Sequence, residues 1–204
     1  METNNSISTT AIILLASLII CNSGRNAMIL STSLFTNIEQ ILSSSDPALL
    51  RDQLNLLKIS LSNPKFNWNV IPNQKGSTVV FLFSQDHWGL CIVDSNLNYY
   101  DSKNYFGSDI KLALWKTFHI ILPQKFFTHK MNFIEHTTQT QQNNRVDCGL
   151  YVLAYLFLQL NEQNSKFLND KIMKIFRLDV IQWLKWIKVN IPHQPSTTLP
   201  IVID

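Results

Sequence analysis

The sequence predicts an α+β fold, with helical segments before and after a central group of strands. Helical periodicity runs from residue 34 to 61 and again in the second half of the chain, whereas apolar, β-branched and aromatic runs cluster between 78 and 100. The strands do not alternate with helices as they do in a parallel doubly wound sheet. A chain of 204 residues can fold as one domain without a disulfide or metal. We therefore expect a single domain over 1–204, with flexible ends at 1–9 and 192–204.

The composition excludes several classes of protein and of site. Hydrophobic residues make up 46% of the chain and charged residues 15%, which rules out a disordered protein. The net charge is only +3, and Lys and Arg form no evident cluster, so we expect no nucleic-acid partner. Three scattered cysteines do not make a disulfide framework or a zinc module, and the five glycines form no phosphate-binding loop. We therefore expect neither a metal nor a cofactor.

The first apolar segment, Thr10–Cys21, is predicted to be a buried helix. It is too short to span a membrane, which takes about 20 apolar residues. A signal peptide typically has Lys or Arg before its apolar segment, and none precedes this one. Ser6 or Ser8 could cap its start. Membrane attachment or targeting through this segment is the alternative, and the polar residues 22–33 are predicted to form a loop.

Two further helices are predicted before the strands. The first runs from about Leu34 to Leu42. The second begins at Asp46-Pro47, because Asp is a good helix cap and Pro is favoured at the first helical position. It carries leucines at helical spacing and ends at Asn63-Pro64.

The remaining elements follow from changes in periodicity. Three strands joined by turns are predicted at Thr78–Phe83, His87–Val93 and Leu97–Tyr100. Beyond them we expect a helix at Ser108–Ile121, a strand at Lys130–His136 and a polar loop at Thr137–Asp147. An apolar helix is predicted from Cys148 onward, and an amphipathic helix at Asp170–Val189.

Cys148 is the candidate nucleophile. It stands at the predicted start of a helix, where unpaired backbone N–H groups favour the reactive thiolate. His87 begins a strand and could accept the thiol proton, and Asp101 ends the next strand, where it could orient the imidazole. Gln142 lies six residues before Cys148 in the chain, so its amide could serve with the Cys148 N–H as an oxyanion donor.

Each of these residues has an ordinary structural interpretation. A single buried Cys, a His beside a Trp, or an Asp at the end of a strand is usually part of the packing. Their joint order, each in the required local setting, is much more specific than any one of them. Cys21 and Cys91 lack such a setting and are predicted to be packing residues.

The pattern HW, a later D, and then QxNxxDCG resembles the sentrin/SUMO protease superfamily of clan CE. The resemblance is dense from about residue 79 to 158. It implies a papain-like fold with a central mixed sheet flanked by helices. It also implies that the general base, its orienting carboxylate, the oxyanion donor and the nucleophile are His87, Asp101, Gln142 and Cys148. By the same resemblance, substrate contacts fall to Trp88, Asn144 and Gly149.

Departures from the family pattern affect the expected substrate. The interval between His87 and Asp101 is short for eukaryotic SUMO proteases, and Asn144-Arg145-Val146 replaces the usual Asn-Gly-Ser. No match precedes Thr10 for the family's Trp-Leu-x-Asp element, whose Trp helps to clamp the Gly-Gly tail of the substrate. Trp68 could replace that Trp as a lid, but it is interpreted more readily as a core residue. These features resemble divergent bacterial effectors that cleave ubiquitin, or viral and parasite relatives.

The expected activity is hydrolysis of the bond after the C-terminal glycine of ubiquitin or a ubiquitin-like protein such as SUMO or NEDD8. The expected enzyme is a monomer in the cytoplasm, or in a host cytoplasm if it is a secreted effector. Two alternatives stay open. One is an acetyltransferase of the same clan that uses the same cysteine, and the other is a non-catalytic ubiquitin-binding relative.

Overall fold

The structure is a computed structural model, and it describes residues 7–25, 27–30, 77–121, 132–136, 142 and 146–190. The two helices predicted between residues 34 and 63, together with Trp68, lie outside this described part. So do most of the predicted flexible ends.

Helix α1, Thr9–Ser23, confirms that the first apolar segment is helical and buried. The Ser8 side chain caps it by accepting a hydrogen bond from the Ala11 N–H at 3.3 Å. It ends at Gly24, whose φ of 65° is a left-handed conformation that suits glycine. Its buried side chains contact the core, and they are Ile12, Leu15, Ala16 and Ile19. Among the described residues, no helix is long and apolar enough to cross a membrane.

Strand β1, Ala27–Leu30, corrects the prediction of a loop over residues 22–33. It pairs in parallel with the strand that begins at Ser77, with Ala27 opposite Ser77. A strand of four residues carries little periodicity of its own, and its partner lies far away in the sequence. The long-range ladder therefore stabilises an element that local patterns do not reveal.

The five strands form one mixed sheet in the order β1-β2-β3-β4-β5. The two outer pairs are parallel and the two inner pairs are antiparallel. The remaining strands are β2 Ser77–Ser84, β3 His87–Val93, β4 Leu97–Tyr100 and β5 Phe133–His136. Gln85 and Asp86 join β2 to β3 with φ values of 46° and 61°, as a tight two-residue hairpin requires. This turn places His87 at the first position of β3.

Helices cover both faces of the sheet, as the apolar runs in β2 and β3 require. Alternate strand residues such as Phe81 and Leu90 face α1 and two C-terminal helices. Their neighbours, such as Leu82 and Cys91, face the helix that follows β4. These helices are α2 Ser108–Ile121, α3 Cys148–Leu160 and α4 Asp170–Asn190, with a short 3₁₀ turn at Ser165–Phe167 before α4. The predicted α+β fold, a mixed sheet flanked by helices, is confirmed.

The three cysteines have different environments. Cys91 is fully buried in β3, as predicted for a packing residue. Cys21 is exposed near the end of α1, so its assignment to packing was wrong. The apolar residues around Cys21 in the sequence gave no sign that its helical position faces outward. Cys148 is buried at the first position of α3.

Candidate active site

Cys148 lies where the end of a loop meets the first turn of α3. Burial would raise the pKa of its thiol. Hydrogen bonds with His87 and with the backbone N–H groups of Trp88 and Gly149, together with the charge of His87, outweigh burial and lower that pKa. The thiol is therefore prepared to ionise, and the thiolate is the nucleophilic form of cysteine.

His87 connects Cys148 to Asp101. Its Nε2 lies 2.8 Å from Oδ1 of Asp101, and the two side chains are only 5% and 1% exposed. This contact leaves Nδ1 as the ring nitrogen available to Cys148. The rings of Tyr105 and Phe106 flank the imidazole, with centroids 5.0 and 5.5 Å away. The imidazole is thus held between its two hydrogen-bonding partners by packing on its sides.

The His87 imidazole has a pKa of about 9, raised from an ordinary value of 6.5. Burial alone would lower this pKa, but the hydrogen bonds to Asp101 and Cys148 and the charges of both partners outweigh it. The lowered Cys148 pKa and the raised His87 pKa both favour the thiolate–imidazolium ion pair over the neutral thiol–imidazole pair.

Asp101 is fixed by four hydrogen bonds. Oδ1 accepts from His87 Nε2 and, at 3.0 Å, from the Lys103 N–H. Oδ2 accepts from the Tyr99 hydroxyl at 3.1 Å and from the Phe106 N–H at 3.0 Å. Burial would raise the Asp101 pKa, but the bonds from His87, Phe106 and Lys103 and the charge of His87 lower it, so the carboxylate stays charged beside the imidazole. Local sequence patterns do not indicate Tyr99, Lys103 or Phe106 as partners of this group.

Gln142 is held by the residue that follows Asp101. Its backbone N–H donates to the Ser102 carbonyl oxygen at 3.1 Å. Its side-chain Oε1 accepts from the Ser102 hydroxyl at 2.7 Å. The sequence motif indicates a role for Gln142 but none for Ser102, although Ser102 stands beside Asp101 in the chain.

Of the three residues predicted to contact the substrate, two are described by the structure and pack in the core. Trp88 is buried and packs on Phe83, with a centroid distance of 4.5 Å. A Cβ on Gly149 would lie 2.9 Å from Ile12 Cδ1 and 3.7 Å from Trp88 Cδ1, so this glycine lets α1 approach α3 closely. Asn144 lies outside the described residues. The substrate roles of all three stay predictions.

An ion pair joins the residue before Cys148 to α4. The Arg177 guanidinium contacts the Asp147 carboxylate, immediately before Cys148. Local sequence patterns did not indicate this contact, because the two residues lie on different elements. In the part of the chain that the structure describes, no group of three or more His, Cys, Asp or Glu side chains is arranged to hold a metal ion.

Comparison with known proteins supplies the family. The family model described as the Ulp1 protease family, C-terminal catalytic domain, matches residues 77–182, which is over half of the 204 residues. The chain belongs to the Ulp1 protease family. The match spans β2 to most of α4 and includes His87, Asp101, Gln142 and Cys148.

One relative of this Ulp1-family chain is the "Probable sentrin-specific protease 8" of Dictyostelium discoideum. The two are 37% identical over 91 residues, which is 39% of this chain. The match spans 37% of the length of the Dictyostelium protein.

Solved structures of Ulp1-type proteases share the fold. The SUMO protease Ulp1 with its catalytic cysteine oxidised to a sulfinic acid has a TM-score of 0.64 at 16% identity, covering 90% of this chain and 80% of that one. The Ulp1 domain in complex with Smt3, the yeast ortholog of SUMO, has a TM-score of 0.57 at 15% identity, with coverages of 90% and 79%. The Xanthomonas campestris effector XopD bound to ubiquitin has a TM-score of 0.55 at 12% identity, with coverages of 89% and 93%. The resemblance stated from the sequence motifs is thus confirmed.

Proposed function

We propose that this chain is a cysteine protease that hydrolyses the peptide or isopeptide bond after the C-terminal glycine of a ubiquitin-like protein. The observation that carries the proposal is the buried hydrogen-bonded series from Cys148 through His87 to Asp101. The lowered pKa of Cys148 and the raised pKa of His87 suit a nucleophile and a proton donor. Membership of the Ulp1 protease family supports the same chemistry.

The reaction proceeds in two steps. The Cys148 thiolate attacks the carbonyl carbon of the terminal glycine, and the developing oxyanion accepts hydrogen bonds from the Gln142 amide and the Cys148 N–H. The His87 imidazolium then protonates the departing amine, which leaves a thioester on Cys148. In the second step His87 removes a proton from water, which attacks the thioester. The modifier leaves with a free carboxylate, and the thiolate is restored.

SUMO is the first modifier to test, and ubiquitin is the second. The departures in the sequence motif favoured ubiquitin. We place SUMO first because the relative is named a sentrin-specific protease and a Ulp1 domain of similar fold was solved with a SUMO ortholog. Ubiquitin stays in the test because the XopD structure contains it.

Probes that carry an electrophile at the modifier C-terminus test both the chemistry and the choice of modifier. Purified protein is incubated separately with SUMO, ubiquitin and NEDD8 probes, and the covalent adduct is measured by mass spectrometry. We expect one adduct on Cys148, formed fastest with the SUMO probe. Cys148→Ala should abolish the adduct, whereas Cys21→Ser, which removes the exposed thiol, should not change it.

Two results would contradict the proposal. The protease function is overturned if no probe reacts with the wild type, or if labelling persists in Cys148→Ala. Faster labelling by ubiquitin than by SUMO would overturn only the order of substrates.

A further inference from the structure

We infer that Ser102 is a positioning residue that orients the Gln142 carboxamide for its role as oxyanion donor. This inference deepens the proposed function and rests on it. It adds a residue to the site that acts through Gln142 and does not itself touch the reacting atoms.

Two hydrogen bonds join Ser102 to Gln142. The Ser102 Oγ donates to Gln142 Oε1 at 2.7 Å, and the Gln142 N–H donates to the Ser102 carbonyl oxygen at 3.1 Å. Ser102 is 1% exposed and Gln142 is 6% exposed, so water competes little for these groups. Both the backbone and the side chain of Gln142 are therefore fixed against a single residue.

The orientation of a carboxamide decides whether it can stabilise an oxyanion. Its Nε2 side donates hydrogen bonds, whereas its Oε1 side carries partial negative charge and would repel the oxyanion. The last side-chain torsion of glutamine has a broad energy profile, so the residue alone does not select one orientation. With Oε1 engaged by the Ser102 hydroxyl, the Nε2 donors lie on the side of the amide away from Ser102.

Ser102 also follows Asp101 directly in the chain. The turn over residues 101–106 fixes the carboxylate through the N–H groups of Lys103 and Phe106, and the same turn presents Ser102 to Gln142. The partner of the general base and the support of the oxyanion donor thus belong to one hydrogen-bonded turn. A change in this turn affects both.

Ser102→Ala tests the inference through turnover of a modifier with a fluorogenic amide at its C-terminus. We expect kcat to fall roughly tenfold or more, up to the factor of about 10²–10³ typical for loss of one oxyanion donor, with KM nearly unchanged. Alkylation of Cys148 by iodoacetamide should keep its rate, because that reaction forms no oxyanion. Ser102→Thr, which keeps the hydroxyl, should restore most of the lost kcat.

A matched control separates this role from the loss of any buried hydroxyl. Thr78→Val removes a buried hydroxyl that has no hydrogen-bond partner among the described residues, at the far end of the β2–β3 hairpin from His87. We expect this variant to keep the wild-type kcat. If Ser102→Ala does not fold, Ser102→Cys preserves the side-chain volume with only a weak donor and serves in the turnover assay.

A double-mutant cycle with Gln142→Ala decides whether Ser102 acts through Gln142. We expect Ser102→Ala to lower kcat no further when Gln142 is already Ala. If Ser102→Ala keeps the wild-type kcat, or lowers kcat by the same factor with and without Gln142, the inference is overturned while the protease function stands.

An NMR measurement keeps the inference testable if no modifier is turned over. The side-chain NH₂ signals of ¹⁵N-labelled Gln142 should shift in Ser102→Ala and stay in place in Thr78→Val. Unchanged Gln142 signals in Ser102→Ala would overturn the inference whatever the activity. Absence of turnover by the wild type would overturn the proposed function instead.

Discussion

The charge of the His87 ring depends on the groups bonded to its two nitrogens. Asp101 accepts from Nε2 at 2.8 Å, and its pKa is lowered by that bond, by the Phe106 and Lys103 N–H groups and by the charge of His87. Cys148 forms a hydrogen bond with the same imidazole, and the positive charge of the ring lowers the Cys148 pKa. A change in Asp101 should therefore reach the thiol through the ring.

Asp101→Asn tests this transmission, because it removes the charge and keeps the size of the side chain. The His87 pKa of about 9 should fall, since burial would then oppose protonation without an anionic partner. Because less of His87 would then be protonated, its positive charge would stabilise the thiolate less, and the Cys148 pKa should rise. In iodoacetamide alkylation of the Cys21→Ser protein, the rise in rate with pH should move upward by at least about one pH unit.

The control for this variant is Asp109→Asn, which removes an exposed carboxylate from the first turn of α2. Its alkylation profile should match that of the parent protein. An Asp101→Asn profile that also matches the parent would show that the carboxylate does not set the ionisation of Cys148.

The sequence allowed three site residues to be predicted because their settings are local. A strand start, a strand end and a helix start can be read from residue patterns, and these patterns located His87, Asp101 and Cys148. The roles of Ser102 and the Phe106 N–H depend on the shape of the turn over residues 101–106, which the sequence does not specify. Their contacts with Gln142 and Asp101 are seen only in the three-dimensional structure.

At the scale of the elements, strand β3 contributes both to the sheet and to the candidate site. Its first residue is His87, and its third is Gly89, which pairs with Leu82 of β2. A Cβ on Gly89 would lie 2.7 Å from Phe106 Cε2, and the Phe106 ring is buried beside the imidazole. The close approach of β3 to Phe106 therefore requires glycine at this position.

Gly89→Ala should consequently disturb both stability and the site. The added methyl group must displace a buried ring, and overpacking of this kind costs about 1–3 kcal/mol of unfolding free energy. Displacement of Phe106 also threatens its N–H bond to Asp101, so alkylation of Cys148 should slow. Urea unfolding and alkylation rates measure the two effects.

Gly107→Ala is the matched control, since an added Cβ there meets no atom within 4 Å. It should change neither quantity appreciably. Equal stabilities of the two glycine variants would contradict the requirement for close packing at Gly89.

Element boundaries could be predicted where a local signal exists. β3, β4 and α2 have the predicted bounds, and α3 begins at the predicted residue, because turn residues and changes of period mark their ends. β1 was missed because its evidence is pairing with Ser77 and the residues after it. The contact of Arg177 with Asp147 was missed for the same reason, since it joins two separate elements.

At the scale of the whole molecule, α1 closes the side of the sheet on which Cys148 lies. Ile12 and Leu15 are fully buried in the same core as Trp88 and the first turn of α3. The apolar runs of β2 and β3 indicated that both faces of the sheet are covered. Which helix covers which face depends on contacts between distant segments, so the sequence did not predict it.

Leu15→Ala tests whether α1 is part of this core in solution. Loss of a fully buried leucine side chain should lower the unfolding free energy by about 2–5 kcal/mol. Leu18→Ala removes a partly buried leucine from the same helix and should cost less. Urea unfolding of the two variants gives the comparison, and equal small losses would show that α1 does not pack as described.

The unlike surroundings of the three thiols give the molecule a built-in set of reporters. A maleimide reagent should react rapidly with Cys148, whose pKa is lowered, and should also react with Cys21, which is exposed. Cys91, fully buried and with a raised pKa, should react only when the sheet opens. The time course of maleimide incorporation would therefore record nucleophile ionisation, surface access and sheet opening in a single sample.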